Sequence, residues 1–169
     1  IRDITGDFIY KSISSLEHFQ DGFKEEIDVI FGGPPCQGFS RAGKRNPHDP
    51  RNMLFKEYVR VINDIKPKYV VMENVTGFMD TELYNFKGIT NISYNNYNCT
   101  APFVLKTELE NIGYRVLNPK ILDSSDYGVP QKRQRVIFLA YRNDVTPLDY
   151  PHPTSNHKIT LHEAIGDLI

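Results

Sequence analysis

The stretch "IDVIFGGPPCQ", residues 27–37, runs from compact apolar residues into Gly-Gly-Pro-Pro and then a cysteine. An apolar run closed by glycine and proline reads as a buried strand ending in a turn. A second such run, "YVVMENV", follows at residues 69–75. Between them, "MLFKEYVRVINDIKP" sets Leu54, Phe55, Tyr58, Ile62 and Ile65 at helical spacing, with Asn52 able to cap the start and Pro67 to stop the helix. Strand, helix, strand in that order is a βαβ unit. It predicts an α/β fold with a mostly parallel, Rossmann-like sheet flanked by helices. Ligands in such sheets bind beyond the carboxyl ends of the strands. Cys36 and Glu73 each lie at or just past such an end, so they are expected on one edge of the sheet.

The rest of the chain extends this pattern. "SISSLEHF" places Ile13, Leu16 and Phe19 on one face of a short helix, and residues 38–52 read as a long polar loop. Residues 82–100, rich in Asn and Tyr and without period, read as an inserted loop. "PFVLKTELENIG" reads as a helix, with Pro102 near its start and Gly113 at its carboxyl cap. "YRVLNPKIL" and "RVIFLAYR" read as two strands bracketing "DSSDYGVPQKRQ". In "TLHEAIGDLI", Thr160 and Glu163 have the spacing of a capping box.

Composition narrows the function classes. With 169 residues, 40% hydrophobic and 24% charged, the chain has the make-up of one soluble globular domain. It holds no apolar run long enough to span a bilayer and opens on no signal-peptide pattern, so a cytoplasmic location is expected. A net charge of −1 supplies no global basic footprint for nucleic acid. Any such contact must come from local clusters: Arg41, Lys44, Arg45 and Arg51, or Lys132, Arg133 and Arg135. Two cysteines make neither a disulfide framework nor a cysteine-rich zinc site. A Cys36–Cys99 bridge stays open, although a reducing compartment suits this usage better. The glycosylation-like triplets at Asn91 and Asn98 read as chance in an Asn-rich stretch.

Three positions could carry chemistry. Cys36, mounted on a rigid Pro-Pro lead-in, suits a nucleophile with a fixed direction, while a free cysteine is also commonly a small buried hydrophobe. Glu73 ends an apolar run, where a carboxylate held partly dry can donate a proton or hydrogen bond near neutral pH; it could equally be a solvated capping group. Asn74 beside it could satisfy backbone groups and brace the turn. Gln131, Arg133 and Arg135 stand two apart, which projects all three to one side of an extended segment; arginines so placed suit phosphate or carbonyl recognition, or form a solvated face. No histidine sits in a motif pairing it with Cys36, so a thiol hydrolase is the weakest reading.

Taken in order and spacing, "GGPPCQGFSRAGK", "RNMLFKEYVRVINDIKPKYVVMENVTGF" and "SSDYGVPQKRQRVIFLAYR" resemble the cytosine-5 DNA methyltransferase family. The match takes in that family's Pro-Cys-Gln loop, Glu-Asn-Val strand end and Gln-x-Arg-x-Arg segment. "LHEAIGDL" is similar to its lead-in to the target-recognition region. The resemblance implies methyl transfer from S-adenosylmethionine to carbon 5 of a cytosine flipped out of duplex DNA. It implies a catalytic set of Cys36, Glu73, Arg133 and Arg135, with Cys36 as the nucleophile and Glu73 at the ring nitrogen and exocyclic amine. It also implies Asp3, Pro34 and Leu54 on the cofactor side, and DNA contacts from Gln37, Ser40, Arg41, Lys44, Arg45 and Gln131. Residues 37–52 then match a mobile catalytic loop whose basic residues position the DNA rather than read it. The implied partners are duplex DNA and a restriction endonuclease of the same system, with no metal and no membrane, at the nucleoid of a prokaryotic cytoplasm.

The sequence departs from the family's pattern in places. The Phe-x-Gly-x-Gly cofactor loop is absent, and the chain opens on Ile1. Residues 1–169 are therefore expected to be a partial catalytic domain of a longer methyltransferase. Its first strands and cofactor loop would be missing, and residues 143–169 would lead toward a recognition domain outside the chain. A non-catalytic nucleic-acid-binding remnant and a tRNA-directed relative are the alternatives.

Overall fold

The computed structural model describes residues 27–34, 54–83, 86–94 and 99–168. The expected helix at 12–19, the loop 38–52 and the Asn52 cap lie outside them. Strand β1 (Val29–Gly32), helix α1 (Leu54–Ile65) and strand β2 (Tyr69–Asn74) form the βαβ unit read from the sequence. β1 and β2 pair in parallel, Val29 opposite Tyr69 and Gly32 opposite Met72. In α1 the apolar positions Phe55, Val59 and Ile62 are buried, each removing a large side chain from water at roughly 1.5–3 kcal/mol apiece.

After a 3-10 turn at Thr76–Asp80 come two two-residue strands, β3 (Phe86–Lys87) and β4 (Ser93–Tyr94), which pair as a small ribbon. Helix α2 (Ala101–Asn111) follows with proline in its first turn and Gly113 just beyond it at φ 99°. Then come β5 (Tyr114–Val116), β6 (Lys120–Asp123), a 3-10 turn at Ser124–Tyr127, β7 (Gln134–Arg142) and the short helix α3 (Leu161–Ile165). The segment expected as one strand over "YRVLNPKIL" is thus two, interrupted at Leu117–Pro119. Pro119 has no N–H to donate to a ladder. Both pieces lie along the same edge of β7.

The sheet order is β1-β2-β7-β5, with β6 also on β7. β7 is antiparallel to β2, β5 and β6. β1, β2, β5 and β6 therefore all run one way, and β7 alone runs against them between β2 and the β5–β6 edge. The α/β class holds and most strands share one direction, although most ladders are antiparallel because the reversed strand is central.

Alternation divides the sheet into two faces. Val70, Met72 and Asn74 of β2 and Val136, Phe138 and Ala140 of β7 are buried, and their apolar members share one cluster with residues of α1 and α2. Tyr69, Val71, Glu73, Ile137 and Tyr141, on the other face, are half-buried. There the segment after β7 crosses back. Tyr69 donates its hydroxyl to the Thr146 carbonyl at 3.1 Å, and Tyr150 donates to the Ile137 carbonyl at 2.8 Å.

The stretch 82–100 is more than a connection. Phe86 stacks on Phe55 of α1 with centroids 5.0 Å apart, and Tyr94 is 5% exposed. Glu108 of α2, 1% exposed, points into the ribbon's turn. It accepts from the Ile89 and Thr90 amides at 2.7 and 3.0 Å, and from the Thr90 and Tyr94 hydroxyls at 2.8 and 2.7 Å. A buried carboxylate is tolerable only with such a full set of donors.

Candidate active site

The site grows from the end of β1. Gly32 lies against the ring of Tyr58 in α1: a Cβ there would sit 2.5 Å from Tyr58 Cε2, so only glycine fits. The Tyr58 hydroxyl donates to the Val71 carbonyl at 2.9 Å, and burial raises its pKa well above the usual tyrosine value. Next, Gly33 approaches Glu73, whose Oε2 would be 3.2 Å from a Cβ on that glycine. The Pro34 carbonyl accepts from Asn74 Nδ2 at 3.2 Å, while Asn74 Oδ1 accepts from the Val75 amide at 2.9 Å. Asn74, 2% exposed, therefore ties the end of β1 to the end of β2, the bracing role its position suggested.

Glu73 is the next residue back, on the opposite face of β2. Its Oε1 lies 2.6 Å from Arg135 Nε, with the two side chains 33% and 25% exposed. Register explains the meeting. Glu73 is opposite Ile137 of β7, and Arg135, two residues away on the same face, reaches across diagonally. Glu73, Arg133 and Arg135 line a cleft of about 360 Å³ together with Leu122, Ser124, Tyr127, Ile137 and Pro151.

The turn that delivers Arg133 is closed on itself. Asp123 caps the 3-10 turn, accepting from the Ser125 amide and hydroxyl at 3.1 and 2.8 Å, and these bonds hold its carboxyl below the ordinary aspartate pKa. The Ser124 amide donates to the Arg133 carbonyl at 3.1 Å, and the Ser124 hydroxyl donates to the Gln131 carbonyl at 2.5 Å.

The structure brings Glu73, Arg133 and Arg135 together. Gln131 is exposed and does not line the cleft; β7 begins only at Gln134, so the alternation expected to align Gln131 with the two arginines is not yet in force. Pro34 and Leu54 are half-buried, at the end of β1 and the start of α1. Asp3, Cys36, Gln37, Ser40, Arg41, Lys44 and Arg45 lie outside the described residues. Sequence reasoning missed the apolar lining, Leu122, Tyr127, Ile137 and Pro151, which comes from separate elements and carries no motif. Among the described residues, no helix is long and apolar enough to cross a membrane.

A family model described as C-5 cytosine-specific DNA methylase matches residues 2–169. The chain belongs to that family. It is 40% identical over 149 residues to the Type II methyltransferase M.DdeI of Desulfomicrobium norvegicum, covering 85% of this chain and 32% of that protein. It is 38% identical over 170 residues to the Type II methyltransferase M.XorII of Xanthomonas oryzae, covering 98% and 34%. The chain thus spans about a third of the length of the curated relatives it matches. Among solved structures, a protein described as a DNA modification methyltransferase encoded within an E. coli prophage superposes with a TM-score of 0.63 at 26% identity, over 91% of this chain and 38% of its own. An Entamoeba histolytica methyltransferase shares the fold, with a TM-score of 0.56 at 20% identity over 93% of this chain and 42% of its own.

Proposed function

We propose that this chain is the catalytic-side portion of an enzyme that methylates carbon 5 of cytosine in duplex DNA through a covalent adduct with Cys36. The observation that carries the reading is the Glu73–Arg135 pair in its cleft, with the next residue, Asn74, bonded to the lead-in of Cys36. Cys36 follows Pro34 by two residues. Cys36 itself lies outside the described residues, and its place at the cleft is part of the proposal.

In this mechanism the target cytosine leaves the stack and enters the cleft. Arg135 holds one oxygen of Glu73, leaving the other oxygen and the exposed part of the side chain for the base's N3 and exocyclic amine. The Cys36 thiolate adds to carbon 6, forming the S–C6 bond and moving the C5–C6 π pair toward carbon 5. Glu73 enters this step as the acid: its free oxygen delivers a proton to N3 as electrons collect there, and the carboxylate left behind stays on Arg135. Arg133 and Arg135 face the base carbonyl. Once carbon 5 carries the methyl group and has lost its proton to a base, the S–C6 electron pair returns to sulfur, the C5–C6 double bond re-forms and Cys36 is released.

S-adenosylmethionine, when bound, supplies the electrophilic methyl group on its sulfonium. The described residues fit one side of such a donor. Pro34, at the end of β1, and Leu54, at the start of α1, are half-buried and offer it apolar contact. Asp3, Gln37, Ser40, Arg41, Lys44, Arg45 and Gln131 are assigned by family resemblance to the adenine side and to the DNA backbone. The relatives' Type II names support a restriction endonuclease partner; a cytoplasmic setting at the nucleoid is part of the same proposal.

The test uses the full-length protein, cofactor and duplex DNA in which cytosine is replaced by 5-fluorocytosine. Fluorine cannot leave carbon 5 as the proton does, so the adduct persists. A denaturation-resistant protein–DNA adduct is expected with the wild type and none with Cys36→Ala. An adduct with Cys36→Ala, or methyl transfer to tRNA alone, refutes the proposal.

A further inference from the structure

The arginines and Glu73 account for only part of the cleft. The rest of the lining is apolar or aromatic: Leu122, Tyr127, Ile137 and Pro151. The sheet order puts Glu73 on β2 and Leu122 on β6, on either side of β7, a span of about 10 Å at ordinary strand spacing. A pyrimidine whose polar edge meets Glu73 and Arg135 therefore turns a ring face or its far edge toward the β6 side. Tyr127 stands at the end of the turn that follows β6.

Tyr127 is held in place independently of any ligand. Its hydroxyl donates to the Pro151 carbonyl at 3.2 Å. The Asp126 carbonyl beside it accepts from the Thr154 and Ser155 amides, both at 3.1 Å, and Lys158 Nζ lies 3.3 Å from Asp126 Oδ1. On the other side Gly128 takes φ 80°, a left-handed turn that ends the 3-10 segment. A strap of residues 150–158 thus clasps the turn, with Pro151 itself part of the cleft lining. Tyr127 keeps its polar tip on the strap and contributes to the cleft wall. An aromatic ring fixed in this way loses little entropy when a base packs on it.

We propose that Tyr127 is a substrate-contacting residue that forms the aromatic wall of the base site, and that the 150–158 strap positions it. The inference rests on the base-flipping reading above. Stacking on an aromatic side chain is sequence-tolerant and does not require a particular hydrogen-bonding edge. In this arrangement Tyr127 retains whichever pyrimidine has been extruded, while Glu73 and Arg135 select cytosine. Tyr127 therefore acts on occupancy of the cleft rather than on the chemistry at carbon 6.

The experiment uses full-length protein at the methylated site mapped with the wild type. It compares Tyr127→Ala, Tyr127→Leu and Tyr127→Phe in adduct formation on 5-fluorocytosine duplex, and in affinity for a duplex abasic at the target position. Wild-type trapping establishes the base-flipping reading on its own, and its failure sinks that reading. With trapping in hand, Tyr127→Ala is expected to slow adduct formation by about tenfold or more. Tyr127→Leu should fall between alanine and the wild type, and Tyr127→Phe should stay within about threefold, since it loses only the Pro151 bond. Abasic-duplex affinity, which needs no base in the cleft and reports a folded protein, should be unchanged in all three. Wild-type trapping by Tyr127→Ala overturns the proposal. So does a loss of abasic-duplex affinity that parallels the loss of trapping, or a phenylalanine variant as impaired as the alanine one, because either result makes Tyr127 a brace of the fold and not a wall of the site.

Discussion

Glu108 offers a severe test of how this core is held. Its carboxylate, 1% exposed, is met by two kinds of donor. Oε2 accepts from the Ile89 and Thr90 amides, which cannot turn away, while Oε1 accepts from the Thr90 and Tyr94 hydroxyls, which can rotate and accept instead. Glutamine can therefore place its carbonyl toward the amides and its NH₂ toward the hydroxyls and keep all four contacts. It loses only the charge assistance on the two amide bonds, about 1–2 kcal/mol in all. Alanine leaves two amides and two hydroxyls without the acceptor and opens a cavity, about 3–5 kcal/mol. In urea unfolding followed by tyrosine fluorescence, Glu108→Gln should lower the midpoint slightly and Glu108→Ala severely. Hydrogen exchange should rise first in peptides spanning 86–94. If alanine is no worse than glutamine, or both cost under about 0.5 kcal/mol, the four bonds do not hold the ribbon as described.

Two further predictions concern the supports of the site. Gly32→Ala should cost about 2 kcal/mol, because its Cβ meets the Tyr58 ring at 2.5 Å and that ring cannot swing without losing the Val71 bond. In a Tyr58→Ala background the same change should be near neutral, and an equal cost in both backgrounds would refute the contact. Burial raises the pKa of Tyr58 and Tyr94 and pushes Tyr114 up to about 12, from 10.0. A raised folded-state pKa adds stability below the unfolded value that is lost as pH climbs toward the folded one. Urea midpoints should therefore hold to about pH 10 and fall between about pH 10 and 12, and Tyr114→Phe should flatten part of that fall. A midpoint flat to pH 12 would contradict the burial of these hydroxyls.

The βαβ unit was legible because its signals are local and redundant: two apolar runs, a helical period and punctuating prolines. The capping box at Thr160 and Glu163 was legible for the same reason, and both of its reciprocal bonds are present. The ribbon within 82–100 was not, since two-residue strands are too short to show alternation and their partner, Glu108, lies on a later helix. Charged residues on helices are usually solvated, and nothing local marks Glu108 as the exception. The cleft was half legible. Glu73, Arg133 and Arg135 stand in motifs, but Tyr127 and Pro151 meet only because the strap folds back on the turn.

The direction of β7 turns separate motifs into a candidate site. β2 ends at Asn74 and β7 begins at Gln134; because the two run oppositely, the last residues of one lie beside the first residues of the other. A parallel β7 in the same place would carry Arg135 to the far end of β2, about 20 Å from Glu73 for a six-residue strand. β1 and β6 run with β2, so their ends deliver Pro34 and the Ser124–Tyr127 turn to that same edge. Register matters as much as direction. A one-residue slip of β7 would carry Arg135 to the core face that Val136 occupies at 0% exposure, and would bring Val136 to the cleft. Burying an unpaired guanidinium against Val70 and Met72 is far costlier than any contact the slip could gain, so the packing that stabilises the sheet also holds Arg135 against Glu73.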